Sequence, residues 1–359
     1  MIAPVEIPLP HVLDLEYVIC DSCGHGYQNE FDRGILENIY KQHYYTPSPD
    51  NVGVVFRNEF IDFFKENIKV SPSASIFEVG CSSGDVLAAL QKEYPQYLLK
   101  AIEPNIETAL VAKNKGFDVQ HEFFTQAYTN TLNTSVDIIY SRHVIEHIFD
   151  FADFFSAADN ISHHNSQLIL ETPSLDWSAE HGSVMPFHVE HVHVFSERSL
   201  VSLAGRYGWY KNKSIVTSSG NLIVIFIRQE NHFVLPPAPE NFIRIQNRHT
   251  ELISEAQQFC QDKNVVFWGA GSGAITLLAL SQVTPEYIVD GNPNKTGKFF
   301  CGLDKSIGYA PNIISELVRQ GKDIEMMMVI SSSFFIEITQ ELMKLGWRGD
   351  IYSPYQNKT

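Results

Sequence analysis

The chain has 359 residues, too many for one small module and enough for two or three domains with separate cores. A hydrophobic share of 44% beside 19% charged residues excludes intrinsic disorder. Lys+Arg 26 against Asp+Glu 42 leaves a net charge of −16, a field that repels phosphate backbones, so a nucleic-acid partner is not expected.

The opening MIAPVEIPLPHVLDLEYVIC carries no basic stretch, and no later window holds 18 uninterrupted apolar residues. Neither export nor a membrane partner is expected, and the cytoplasm is the expected compartment. Cys20, Cys23, Cys81, Cys260 and Cys301 make no disulfide framework in a chain of this length. Residues 1–53 read as a small irregular arm with several prolines, the Cys20 and Cys23 pair, and the aromatic cluster Tyr40, Tyr44 and Tyr45. Two thiols are half of a tetrahedral zinc set. His11, His25 or His43 could complete it, but zinc is not expected.

From Phe56 the spacing changes. Phe56, Phe60, Phe63, Phe64 and Ile68 recur at three and four residues, the period of an amphipathic helix. SIFEVG, YLLKAIE, FDVQHEF, VDIIYS and QLILETP then alternate with helical runs, which predicts a parallel sheet with crossover helices. SIVTSSG and NLIVIFIR, joined by Gly-Asn, predict an antiparallel pair at the sheet edge that closes a domain spanning 54–232. FVLPPAPEN reads as a proline linker, NFIRIQNRHTELISEAQQFC as a helix, and 240–359 as a further α/β unit. The fold class expected is therefore α/β, with two Rossmann-like domains and an N-terminal arm.

SIFEVGCSSGDVLAAL reads as strand, glycine turn and helix, with Glu78, Gly80 and Gly84 in the order ExGxxxG. Glycines admit a ligand close to the backbone, and the helix start behind them offers unpaired N–H groups. Glu103 ends the next strand 23 residues after Gly80, where a carboxylate can take both hydroxyls of a ribose. A nucleoside-bearing cofactor is expected. His143 and His147 have the i, i+4 spacing of metal ligands on a helix, but HVIEH is not HExxH, and no metal is expected there; a structural role for His147 is.

Residues 181–196, HGSVMPFHVEHVHVFS, hold four histidines just past the fifth strand of the sheet, at the edge where α/β folds bind ligands. Histidine moves protons near neutral pH, and a carboxylate beside it makes a stronger base. Alternation would put His191 and His193 on one side of an extended segment and Glu190 on the other, so Glu190 orients a histidine only if the backbone turns. Further on, Gly269, Gly271 and Ala274 fit GxGxxA, and Asp290 ends the next strand nineteen residues after Gly271. Alone this reads as a dinucleotide fingerprint. With only about 120 residues in the unit, substrate binding is favoured over NAD.

EVGCSSGDVL resembles the first motif of the class I S-adenosylmethionine-dependent methyltransferases, and VDIIYSRHVIEHIFD is similar to their fourth-strand motif. The resemblance implies S-adenosylmethionine as cofactor, held by Glu78, Gly80, Cys81, Gly84, Glu103 and Pro104, with Ser141, Arg142 and His143 on its methionine side. Glu122 and Phe123 of HEFF would meet the adenine. EHVHVFSERSL looks like the EHLSYFS stretch of the deoxysugar C-methyltransferases, where a Glu-His pair removes a proton beside a keto group. Glu190 and His191 match that pair, and His188 stands where that family has a tyrosine; Val194 replaces a later one. YKQHYYTPSP, VVFWGAGSGAITLL and VDGNPNKTGKFFCG resemble other segments of the same family. They imply that Tyr44, Tyr45, Gly269, Gly271, Ser272 and Asp290 serve a nucleotide-sugar acceptor. The family's second CxxC pair has no counterpart here. An O- or N-methyltransferase on another small molecule, a nucleotide-binding protein without turnover, and an NAD-dependent oxidoreductase stay open as alternatives.

Overall fold

The computed structural model describes residues 2–3, 15–31, 34, 51–69, 71–184, 186–228, 235, 242–271, 274, 277–278, 283–300, 303–331 and 335–353. Tyr44, Tyr45, Ser272, His11 and His43 lie outside these. Two short N-terminal segments come first. Ile2–Ala3 (β1) pairs with a later strand, and Tyr17–Ile19 (β2) and Gly26–Gln28 (β3) form an antiparallel hairpin.

The helix Asn51–Asn67 buries Phe60, Phe63 and Phe64, the face the three-and-four spacing marks. Ser75–Val79 (β4), Leu98–Ile102 (β5), Asp118–Gln120 (β6), Val136–Arg142 (β7) and Ser162–Pro173 (β8) then form a parallel set. His193–Val194 (β9) leaves that sheet and joins the N-terminal hairpin in the order β2-β3-β9. Tyr210–Val216 (β10) and Asn221–Ile227 (β11) complete a seven-stranded sheet in the order β10-β11-β8-β7-β4-β5-β6, β11 running antiparallel to both neighbours.

Alternating side chains face opposite layers of this sheet. Ile76, Ile138 and Ile169 join Phe60, Phe64 and Leu90 on one side. Phe77, Ile139, Leu168 and Leu170 join Phe154, Phe155 and Trp209 on the other. With both faces buried, every helix start and strand end of functional interest is confined to the edges. Asn105 caps Ile106–Asn114 by accepting from the Glu107 and Thr108 amides, and Ser196 with Ser199 forms a capping box at Glu197–Arg206.

The helix Ile243–Cys260 leads into a second sheet. The strands from here on are Asn264–Trp268 (β12), Tyr287–Asp290 (β13), Phe299–Phe300 (β14, which pairs with β1 in a separate two-stranded sheet), Ile307–Tyr309 (β15), Met326–Ile330 (β16) and Asp350–Tyr352 (β17). Five of them run parallel in the order β15-β13-β12-β16-β17, which is the doubly wound arrangement. Among the described residues no helix is long and apolar enough to cross a membrane.

Two local readings are corrected. His143 and His147 do not share a helix: His143 has φ +52, and only Ile145–His147 forms a short 3-10 turn. The segment before β9 is not extended either, since the His191 amide donates to the His188 carbonyl at 3.0 Å and closes a turn.

Candidate functional site

Where β4 ends, the backbone takes three left-handed steps, Gly80 (φ +76), Ser82 (φ +48) and Gly84 (φ +75). A Cβ on Gly80 would stand 2.6 Å from Val144 Cγ2, so only glycine lets the exit loop of β7 approach the turn this closely. Gly84 is the N-cap of Asp85–Glu93 and brings no side chain to cap it. Glu103 follows β5 and is buried. One carboxylate oxygen accepts from the Ser82 amide at 2.7 Å and the other from the Asn105 amide at 2.8 Å. Those bonds aim the group at the turn, and a carboxylate with about four lone-pair sites keeps capacity for two ribose hydroxyls. Burial raises its pKa.

Beneath the turn Glu78 is buried, and burial pushes its carboxyl up to about 8. Cys81 is buried too, and burial raises its thiol well above the ordinary range. The Ser82 and Ser141 hydroxyls are buried atoms with no hydrogen-bond partner among the described residues. A glycine cradle, two orphaned hydroxyls and two carboxyls suit a ligand with ribose, amine and carboxylate groups, and S-adenosylmethionine has all three. Pro104, Glu122 and Phe123 are exposed, Phe123 at 68%.

Past β7 the ionisable groups are connected, the two carboxylates buried and their basic partners half-buried. Arg142 forms a two-point pair with Glu171, its Nη2 donating to Oε1 at 3.1 Å. His143 lies 3.4 Å from Glu171 and 3.5 Å from Glu146. Burial opposes its charge, but the two carboxylates outweigh it and push the imidazole up to about 9. Burial would raise Glu146 and Glu171, yet His143 beside the first and Arg142 beside the second hold both at about 2.

The histidine-rich turn packs on this network. His191 Nε2 faces Glu146 Oε1 at 3.9 Å, and the His188 ring lies 3.7 Å from the His191 ring. Burial, then the neighbouring imidazoles, lowers both: His188 to about 3 and His191 well below its ordinary value. Both are therefore neutral at physiological pH. Glu190, expected as the orienting carboxylate, offers its backbone carbonyl to His147 Nδ1 at 2.7 Å, while the structure sets the Glu146 carboxylate against His191. Sequence reasoning missed Glu146 because it is 45 positions from His191 and reads as part of a cofactor motif. It also missed Tyr17 and Gln28. The Tyr17 hydroxyl donates to the His188 carbonyl at 2.8 Å, and the Gln28 amide donates to the carbonyls of Val189 and His191 at 3.0 Å each. The N-terminal hairpin thus holds the turn that carries His188 and His191.

In the hairpin loop the Gly24 amide donates to the Cys20 carbonyl at 2.7 Å, and amides of Cys23 and Ser22 lower the Cys20 thiol. His25 is engaged with His193, ring nitrogens 3.0 Å apart. Among the described residues no third ligand joins the two cysteines.

The second glycine turn repeats the first. Gly269 (φ +114) leaves β12, where a Cβ would meet Ser331 Oγ at 2.8 Å, and its amide donates to the Val289 carbonyl at 2.9 Å. Asp290 accepts from the amides of Ala270 at 2.7 Å and Asn292 at 2.8 Å, the pattern Glu103 makes with Ser82 and Asn105. Here Lys295 adds its ammonium 3.0 Å from the carboxylate. Gly271 sits at the mouth of this turn, exposed.

The sheet order and the glycine turn with its acidic partner define a Rossmann-like α/β domain. Residues 56–213, less than half of the chain, match the family model of a methyltransferase domain, and the seven-stranded sheet gives this stretch a Rossmann-like α/β fold. Among solved structures, the mitomycin 7-O-methyltransferase MmcR is similar, with 17% identity and a TM-score of 0.39. The match covers 49% of this chain and 54% of that one, so the chain spans about half the length of that relative. A SAM dependent methyltransferase from Aquifex aeolicus is 14% identical at a TM-score of 0.40, over 56% of this chain and 100% of the other. Geranyl diphosphate C-methyltransferase from Streptomyces coelicolor A3(2) is 10% identical at 0.38, over 48% and 76%. No curated protein matches the chain.

Proposed function

We propose that the chain transfers a methyl group from S-adenosylmethionine to a small-molecule acceptor, and that the acceptor atom is a carbon next to the keto group of a nucleotide-linked deoxysugar. The observation that carries this reading is the sharing of one loop, 143–147, by two sites. Val144 of that loop lies where a Gly80 Cβ would be, and Glu146 of the same loop faces His191. The groups that hold the cofactor and the groups that can take a proton therefore meet at one edge of the sheet.

S-adenosylmethionine supplies an electrophilic methyl group on a sulfonium. The chain's own residues do the rest. Glu103, aimed by the Ser82 and Asn105 amides, holds the ribose end, and Glu78 and Ser141 hold the amino-acid end. His191, neutral and backed by His188, accepts the proton whose loss makes the acceptor carbon nucleophilic, and Glu146 stabilises the imidazolium that results. Closure around the buried cluster keeps water from the exposed carbanion. On this reading the second glycine turn, with Gly269, Gly271 and Asp290, receives the nucleotide through backbone donors, and Lys295 supplies a cation for its phosphates.

Calorimetry with S-adenosylhomocysteine tests the first half. Binding is expected, with Glu103→Ala weakening it by about tenfold or more through loss of charged hydrogen bonds. No binding at millimolar ligand would end the methyltransferase reading. For the second half, thermal shifts with nucleotide-sugars identify the acceptor class. Deuterium from solvent should then enter the acceptor carbon without cofactor, and His191→Gln should cut turnover by about 10² to 10⁴. Full turnover without such exchange would move the reaction to an oxygen or nitrogen.

A further inference from the structure

The loop after β7 and the histidine turn bring three metal-ligating side chains together. One ligand atom each from Glu146, His147 and His191 lies within 4.8 Å of the other two. In both imidazoles Nδ1 faces a backbone carbonyl, His147 on Glu190 at 2.7 Å and His191 on Pro186 at 2.9 Å. A carbonyl can only accept, so Nδ1 carries the proton and the lone pair sits on Nε2 in each ring. This is the tautomer a metal requires, fixed by the outer hydrogen bond that metal-ligating histidines make.

The carboxylate is prepared in the same way. Glu146 is wholly buried; its Oε2 accepts from the Thr172 hydroxyl at 3.1 Å, while Oε1 makes no short hydrogen bond among the described residues and has the His143 imidazole 3.5 Å away on one side. Facing that oxygen at 3.9 Å is His191 Nε2, a nitrogen whose lone pair points at negative charge. Two electron-rich atoms opposed in a buried site repel unless a proton or a metal cation lies between them. Ligands about 2.1 Å from one ion stand roughly 3 to 4 Å apart; the 3.9 Å between Glu146 and His191 lies in that range, and a small movement of side chains brings in the rest of a set already within 4.8 Å.

We propose that Glu146, His147 and His191 bind one divalent cation of the first transition series, such as Mn²⁺ or Zn²⁺. Two imidazoles and a carboxylate are the ligand set for such ions, and three protein ligands leave coordination positions for water or an acceptor oxygen. The sequence reading expected no metal here because HVIEH, although its histidines have the i, i+4 spacing of ligands, is not HExxH. The third ligand comes instead from a turn 44 positions beyond His147. Binding itself is independent of the proposed reaction; only its bearing on turnover rests on that reading, because His191 Nε2 cannot ligate an ion and accept a proton at the same time.

The test uses the full chain, stripped with a chelator and titrated with Mn²⁺, whose free form is counted by electron paramagnetic resonance. Thiolates bind this hard ion poorly, so Cys20 and Cys23 do not confuse the count. One ion per chain is expected, with affinity reduced at least tenfold by His147→Gln and by Glu146→Gln. Thr172→Val, which touches no ligand atom of the ion, should weaken it by about tenfold through the outer bond alone. Circular dichroism and S-adenosylhomocysteine binding report whether each variant is folded. Absence of binding at about 1 mM Mn²⁺, or unchanged affinity in folded His147→Gln and Glu146→Gln, overturns the site. Either result leaves the methyltransferase reading standing, since that falls only with the loss of S-adenosylhomocysteine binding by the unaltered chain.

Discussion

Glu78 lies under the cofactor turn with its carboxyl pushed up to about 8 by burial, so at pH 7 roughly nine tenths of it is protonated. A ligand that brings an ammonium and a sulfonium into the same pocket lowers that pKa, and the proton leaves. Binding of S-adenosylmethionine at pH 7 should therefore release up to about one proton, read by calorimetry in buffers of different ionisation heat; Glu78→Gln should abolish the release. The stability sign follows from the same shift. Below the ordinary value of 4.5 the carboxyl is protonated folded or unfolded, and between there and about 8 the folded chain holds a proton the unfolded chain has lost. Glu78 thus costs stability increasingly as pH rises through that window, by up to about 1.4 kcal/mol per unit. Chemical denaturation of the ligand-free protein should show Glu78→Gln gaining on the unaltered chain from pH 5 to pH 8. A constant difference across that range would remove Glu78 as the titrating group.

Among the elements, the hairpin β2–β3 matters more than its size suggests. Its sequence reads as an irregular arm because two three-residue strands give little alternation to detect, and the partner that completes the sheet, β9, is over 160 positions away. Gln28 is buried and donates to two carbonyls of the histidine turn. Gln28→Ala should cost about 1–3 kcal/mol, since those carbonyls lose a buried donor. Because it shifts His188 and His191 while leaving the glycine turn alone, kcat should fall with S-adenosylhomocysteine affinity unchanged. Loss of both together would mean that the hairpin supports the whole domain.

The long helices and the buried strands were legible in the residues, because Phe60, Phe63 and Phe64 or the runs IIY and LIL carry a period that packing must satisfy. So was the glycine turn, where backbone geometry excludes other residues. The partner of His191 was not. A carboxylate becomes its partner through the meeting of two loops, and local periodicity carries no trace of that contact. The helical spacing assigned to His143 and His147 failed for a related reason: the positive φ of His143 is held by Glu146 and Glu171, and the second of these is on another strand.

At the scale of the whole molecule, two sheets present the same device, a glycine turn whose amides bind an acidic residue at the end of the next strand. They differ in one charge. Glu103 is held by backbone amides, and the His121 imidazole is bound to the neighbouring Pro104 carbonyl; Asp290 has the Lys295 ammonium at 3.0 Å, both partners largely buried. A ribose needs a carboxylate that accepts from two hydroxyls, and an ammonium on the same oxygen competes for that acceptor capacity while adding an attraction for phosphate. The second turn is thereby suited to a phosphate group more than to the ribose of a dinucleotide. NADH fluorescence should stay unchanged on mixing, whereas a nucleoside diphosphate should raise the melting temperature in a salt-sensitive way. Lys295→Met should weaken the diphosphate by about tenfold and leave S-adenosylhomocysteine untouched, because the two turns belong to different sheets. Enhanced NADH fluorescence in the unaltered chain would instead assign the second turn to a dinucleotide.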